Sequence, residues 1–229
     1  MLKKFLPVIV VLLVSLSASC SFAETYYVIN SHSKPTYEAP GSLSWAVSNI
    51  NALGGEGHVI EFDEDVKSIT LTKELVINAG VTINGEGVCI TGAGNSRLFN
   101  ITGGKVEFNQ ITFTKGYAVE NNGGAVNIEG PEASAEFTNC TFYENTADNF
   151  GGAVCVTNGS DKNVTVFTNC RISDNDAHNG GGVAVIKGDA KIFASIITGN
   201  SDKEIYASEK ATLTNSNNIF NDYEVSYKK

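Results

Sequence analysis

Three stretches of the chain repeat one alternation of apolar and polar positions. They are Val106-Glu107-Phe108-Asn109-Gln110-Ile111-Thr112-Phe113, Ala135-Glu136-Phe137-Thr138-Asn139-Cys140-Thr141-Phe142 and Thr165-Val166-Phe167-Thr168-Asn169-Cys170-Arg171-Ile172. Matched phenylalanines fall at 108, 137 and 167, spacings of 29 and 30 residues. After each comes a polar loop and a glycine signature: Gly123-Gly124-Ala125-Val126, Gly151-Gly152-Ala153-Val154 and the looser Gly181-Gly182-Val183-Ala184. A period of this size marks a solenoid, in which each repeat buries its apolar face only by stacking on its neighbours.

The pattern within a repeat decides which solenoid. Its apolar stretches are short, β-branched or aromatic, and bounded by Gly and Asn, which is strand chemistry. A helical repeat would need two sustained amphipathic stretches, and a Gly-Gly pair costs each of them about 1 kcal/mol per glycine relative to alanine. Strands wound into coils, each pairing with the coil above and below at about 4.8 Å, satisfy both facts. The fold class predicted is therefore all-β, a right-handed parallel β-helix over residues 58–220. Less regular coils are expected at 68–72, 75–77, 81–83, 88–91 and 98–101, and later ones at 191–197 and 211–214.

Residues 24–57 read differently. A strand is expected at 26–29, and Leu43, Ala46, Val47, Ile50 and Leu53 recur at helical spacing behind Ser42, an N-cap residue. The first coil of a solenoid needs a cover, and this segment is predicted to be that cap, with a small helix and Trp45 packed over the coil. Residues 221–229 form a C-terminal tail.

Upstream, Met1-Leu2-Lys3-Lys4, an apolar run over 5–16 and the small-residue ending Ser21-Phe22-Ala23 have the layout of a signal peptide, with cleavage expected after Ala23. The alternative is a lipid anchor on Cys20, since Ser17-Ala18-Ser19-Cys20 resembles a lipobox. Both imply export, to the medium or to the cell surface and outer membrane. The apolar run falls short of the roughly 20 residues that span a bilayer, and no transmembrane segment is expected in the mature chain. Loss of the two leader lysines takes the formal net charge from −9 to −11. That balance argues against nucleic acid, whose phosphates need cations to neutralise them.

The paired segments Phe142-Tyr143-Glu144-Asn145 and Gly151-Gly152-Ala153-Val154 resemble the Phe-x-x-Asn and Gly-Gly-Ala-(Ile/Leu/Val) motifs of polymorphic outer membrane protein repeats. The likeness is partial. Phe113-Thr114-Lys115-Gly116 lacks the Asn, Ile172-Ser173-Asp174-Asn175 lacks the Phe and Gly181-Gly182-Val183 lacks the Ala. Gly41-Ser42-Leu43-Ser44-Trp45-Ala46-Val47 is similar to the cap that precedes many exported bacterial β-helices. The resemblance implies a surface adhesin-like binding module whose partner is a protein or glycan. The family's C-terminal membrane barrel has no counterpart up to Tyr227-Lys228-Lys229, and outer-membrane insertion is not expected of these residues.

Parallel β-helices also host lyases and hydrolases that act on acidic glycans, so that activity is the alternative. A lyase of this kind uses clustered carboxylates around Ca²⁺, and a hydrolase uses a carboxylate pair. The chain has only Arg97 and Arg171, with His32, His58 and His178, and lacks an Asp-Asp pair or a Gly-His-Gly. Asp63-Glu64-Asp65 reads as a solvated turn. No enzyme activity, cofactor or metal is therefore expected.

Three loops, 114–122, 143–150 and 173–180, should stack on one side of the coil. A ligand face there would comprise Tyr117, Glu144, Asp148, Phe150, Asp174 and Asp176, with Glu120 and His178 beside them; the plainer alternative is a set of ordinary polar loops. Structural roles are expected for Asn139 and Asn169, as a ladder at one turn, extended by Gln110, and for the glycines at 123, 124, 151, 152, 181 and 182, in conformations closed to other residues. Cys140 and Cys170 should face inward as packed thiols rather than a bridge. Cys155, aligned with Asn127 and Val185, should face outward and react first.

Overall fold

The computed structural model describes residues 22–33, 39–158, 163–220 and 225–226. The signal peptide and Cys20, except for Phe22 and Ala23, and most of the C-terminal tail lie outside the described residues.

The chain forms a parallel β-solenoid of about six turns with one short helix. Three long parallel sheets run along it. The first contains Thr25–Val28, His58–Phe62, Val81–Asn84, Lys105–Asn109, Ser134–Thr138, Thr165–Thr168, Gly188–Phe193 and Ala211–Ser216. The second contains His32–Ser33, Ser68–Leu71, Cys89–Thr91, Thr112–Thr114, Thr141–Tyr143, Arg171–Ser173, Ile196–Thr198 and Ile219–Phe220. The third runs from Leu75–Ile77 through Phe99–Ile101, Val126–Ile128, Val154–Val156, Val183–Val185 and Ile205–Ala207 to Val225–Ser226. The predicted fold class is thus the observed one.

Register follows the sequence repeat. Phe108, Phe137 and Phe167 pair across adjacent strands of the first sheet, and their rings stack with centroids 5.2 and 4.9 Å apart. Phe113 and Phe142 make a second stack at 4.7 Å on the second sheet. Isoleucines continue both rows where the phenylalanines stop, Ile83 and Ile192 on the first and Ile90 and Ile172 on the second. Like side chains lie at like positions because parallel, in-register pairing stacks identical places at one strand spacing.

The corners between sheets turn through left-handed backbone. Gln110, Asn139, Asn169, Ala194 and Asn217 have φ of 50–56° at the first corner. Lys115, Glu144 and Asp174 have φ of 52–58° at the second. Asn tolerates this region better than most residues because its short amide bonds locally. Asn169 Nδ2 donates to Asn139 Oδ1 at 2.6 Å.

At the N-terminal end, Leu43–Leu53 forms the helix, with the Ser42 hydroxyl accepting the Trp45 N–H. Leu43, Ala46, Val47 and Ile50 are buried in the common core. The Trp45 ring meets Tyr26 edge-on, with centroids 5.5 Å apart. Burial and the neighbouring Glu24 push the Tyr26 phenol up to about 12.

The glycine register differs from the sequence alignment. Val183, not Ala184, pairs with Val154, which in turn pairs with Val126. The glycines equivalent to Gly123-Gly124 and Gly151-Gly152 are therefore Gly180-Gly181, and Gly182 stands in the alanine place. Only the first of each pair needs positive φ: Gly123, Gly151 and Gly180 lie at 63–66°. Gly124, Gly152 and Gly181 are held by close approach instead. A Cβ there would fall 2.3–2.4 Å from the carbonyl oxygen of Gly152, Gly181 or Ser201, respectively.

Candidate functional site

The three stacked loops form a small parallel side sheet of Tyr117–Ala118, Thr146–Phe150 and Asp176–Asn179. Its inner side is a row of alanines, Ala118, Ala147 and Ala177, buried against one another. Small residues let these strands lie close to the coil while the alternate positions point out.

The six residues named for a ligand face separate into different settings. Tyr117 donates its hydroxyl to Asp148 Oδ1 at 3.0 Å, and Asp148 Oδ2 accepts the Glu120 N–H at 2.7 Å. The Asp148 carboxylate raises the Tyr117 phenol pKa, because a hydrogen bond to the anion favours the protonated ring. Glu144 sits at the second corner, 3.8 Å from Lys115, an exposed pair of little energetic weight. Asp174 occupies the next corner, and both it and Asp176 are exposed. Phe150 packs on Tyr206, with ring centroids 5.6 Å apart. Among the described residues no group of three or more His, Cys, Asp or Glu side chains is arranged to hold a metal ion.

Beside this sheet is a cleft of about 560 Å³ lined by Thr72, Lys73, Glu74, Val76, Asn95, Ser96, Arg97, Tyr117, Ala118, Val119 and Asn121. Of the six, only Tyr117 lines it. The cleft exists because the side sheet begins at Tyr117–Ala118. The preceding coil turns through Gly92-Ala93-Gly94-Asn95 without a side strand, and the wall drops by one step. Arg97 forms its floor. Its Nη1 meets Glu74 Oε2 at 2.8 Å, and its Nε donates to the carbonyls of Asn122 and Gly123, both at 3.1 Å.

Inside the coil, the motif asparagines have a role not assigned from sequence. Asn145 and Asn175 are buried. Asn145 Nδ2 donates to the Phe113 carbonyl, Asn175 Nδ2 to the Phe142 carbonyl and Asn200 Nδ2 to the Ile172 carbonyl. Each side-chain oxygen accepts a backbone N–H from the coil before, Gly116 for Asn145, Asn145 for Asn175 and Asn175 for Asn200. Glu204 closes the row on Asn200. The signal was present as the Phe-x-x-Asn spacing, which puts the amide one corner past the carbonyl row it reaches.

Cys155 is a correction. Val154 and Val156 belong to the core and Cys155 does not, so alternation does turn it to the outer side. That side is covered all the same, and Cys155 is fully buried. Gly151 folds back over the strand, so close that a Cβ on it would lie 3.0 Å from the Cys155 Cα. Cys155 also pairs with Ala184 rather than with Val185. Burial raises its thiol pKa, and pushes Cys140 and Cys170 up to about 11 and about 12. Cys140 Sγ reaches the Phe108 carbonyl and Cys170 Sγ the Phe137 carbonyl, both at 3.4 Å, and the two thiols are free. Cys89 is only half-buried. Among these four thiols, alkylation of the folded protein at pH 8 should therefore mark Cys89 first, because access and thiolate fraction set the rate. Peptide mapping that finds Cys155 labelled as fast as Cys89 would contradict this cover.

These features define a parallel β-solenoid with a side sheet and a stepped cleft beside it. Comparison with protein-family models, curated proteins and solved structures found no match. The likeness to polymorphic outer membrane protein repeats thus stands on the Phe-x-x-Asn and Gly-Gly-Ala-Val motifs alone. Among the described residues no helix is long and apolar enough to cross a membrane.

Proposed function

We propose that the chain is an exported, non-catalytic β-helix protein that acts as an adhesin-like binding module, secreted or held at the cell surface, with a protein or glycan as its partner. The observation that carries this reading is the side sheet. It places Tyr117, Asp148 and the neighbouring cleft on a scaffold whose interior coils are paired on both sides, and rigid walls of this kind suit recognition without chemistry. One carboxylate of the face serves the fold: Asp148 holds Tyr117 and the Glu120 backbone. The leader-like N-terminus supports export, and the repeat motifs support the adhesin-like class.

The test is to determine the N-terminus and compartment of the natural protein, then to screen it against immobilised glycans and host-matrix proteins. Export with saturable binding to one of them is expected. A cytoplasmic chain that retains Met1 would refute export. Turnover of polygalacturonate, lost on Asp174→Asn or Asp176→Asn, would replace this reading with the polysaccharide lyase or hydrolase.

A further inference from the structure

We propose that the stepped cleft at the edge of the side sheet binds a neutral saccharide, which deepens the binding-module reading and rests on it. The volume, about 560 Å³, lies in the range of small-ligand sites, roughly 300–1,000 Å³. Its lining mixes two kinds of surface. Val76 and Val119 are 41 % and 60 % exposed, in a fold that buries most of its large apolar side chains, and both face this cleft with Tyr117. Around them stand the Asn121 amide and the Thr72 hydroxyl, with Asn95 and Ser96, whose amide and hydroxyl donate to the Ala93 and Arg97 carbonyls and keep their side-chain oxygens as acceptors. A sugar ring offers the matching pair, an apolar face of C–H groups and a rim of hydroxyls.

Charge selects the class of sugar. Arg97 is the deepest cation, 7 % exposed, but its guanidinium is committed to Glu74 and to the Asn122 and Gly123 carbonyls. Lys73, exposed at the rim, is the second cation of the lining. The Arg97–Glu74 pair leaves the floor close to neutral, inside a protein of formal net charge −9. An acidic glycan would meet no unpaired cation at depth, only the solvated Lys73 at the rim. A neutral sugar needs only hydrogen-bond partners. Asn121 spends its side-chain oxygen on the Asn122 N–H, which leaves its amide NH₂ to donate.

A peptide added as an extra strand is the less suitable occupant. The edge strand Tyr117–Ala118 has two residues, and the Tyr117 N–H already donates to the Ser96 carbonyl at 2.9 Å. So short and partly closed an edge cannot template a strand.

The experiment titrates the full exported chain with cellotetraose, chitotetraose and mannotetraose, with tetragalacturonate as the acidic comparison, by calorimetry and saturation-transfer NMR. At least one neutral tetrasaccharide is expected to bind. Tyr117→Ala and Val119→Arg should each weaken it tenfold or more, while Lys191→Ala, on the exposed face of the first sheet, leaves it unchanged. Circular dichroism checks that each variant is folded; Val119 and Tyr117 lie at the surface, and Val119→Ser serves if Val119→Arg is not. Binding that survives Tyr117→Ala and the Val119 variant overturns the cleft as the site. Binding of tetragalacturonate alone, or of none of the four, overturns the neutral class. In either case a wild-type protein that still binds a matrix protein keeps the binding-module reading intact, so the two failures are distinguishable.

Discussion

Phe137→Ala should lower the stability of the solenoid by about 3–5 kcal/mol, the usual loss for an aromatic removed from a packed core. Phe137 is 1 % exposed and lies in the middle of the row, stacked on Phe108 and Phe167 and meeting Phe113 and Phe142 edge-on at 6.2 and 5.2 Å. Its removal opens a cavity that neither neighbour can fill without leaving its own coil. Each repeat contacts only the coils beside it, so the loss should appear as weakened coupling between the two halves and a broadened urea transition. Thr138→Ala, half-buried on the outer side of the same strand, is the comparison, expected within about 0.5 kcal/mol of wild type. Equal shifts for the two in urea denaturation would mean that the phenylalanine row does not hold the coils together.

Asn175→Ala should cost about 3 kcal/mol or more, although alanine fits the space. The amide bonds the Phe142 and Ser173 carbonyls and the Asn200 side chain, and its oxygen accepts both the N–H and the amide of Asn145. Removal leaves several of these buried groups unpaired, each worth about 1–3 kcal/mol and not additive. Asn169→Ala provides the contrast. Asn169 is exposed and its amide bonds Asn139 at 2.6 Å, where water can replace the lost partner, and a loss below about 1 kcal/mol is expected. A larger cost for Asn169→Ala than for Asn175→Ala, measured by the same denaturation, would reverse the assignment of which ladder stabilises the fold.

The two ladders separate what could be read in the chain from what could not. Asn139 and Asn169 stood out because they precede cysteines at matched places in the repeat. Asn145 and Asn175 were visible only as motif letters, because their function depends on a carbonyl one coil away and 32 or 33 residues earlier. A sequence shows that a residue recurs, not which backbone group lies across from it.

The sequence by itself determined the solenoid. A 29–30-residue period, β-branched and aromatic alternation, and glycine or asparagine bounding the apolar stretches leave few other ways to bury the apolar positions. It also marked the helix, since Ser42 and the spacing of Leu43, Ala46, Val47 and Ile50 are local signals. Tertiary structure decided what lies over each face. Alternation gave the side to which Cys155 points, but that side is covered, with the Gly151 backbone lying close to the Cys155 Cα, and no local pattern encodes it. The register of the third glycine pair went to Gly180-Gly181 because the third sheet aligns Val183 with Val154, a pairing between coils. The cleft arose the same way. Tyr117, Val76 and Asn95 are distant in sequence and polar or apolar without common period, and they meet only because the side sheet stops one coil short.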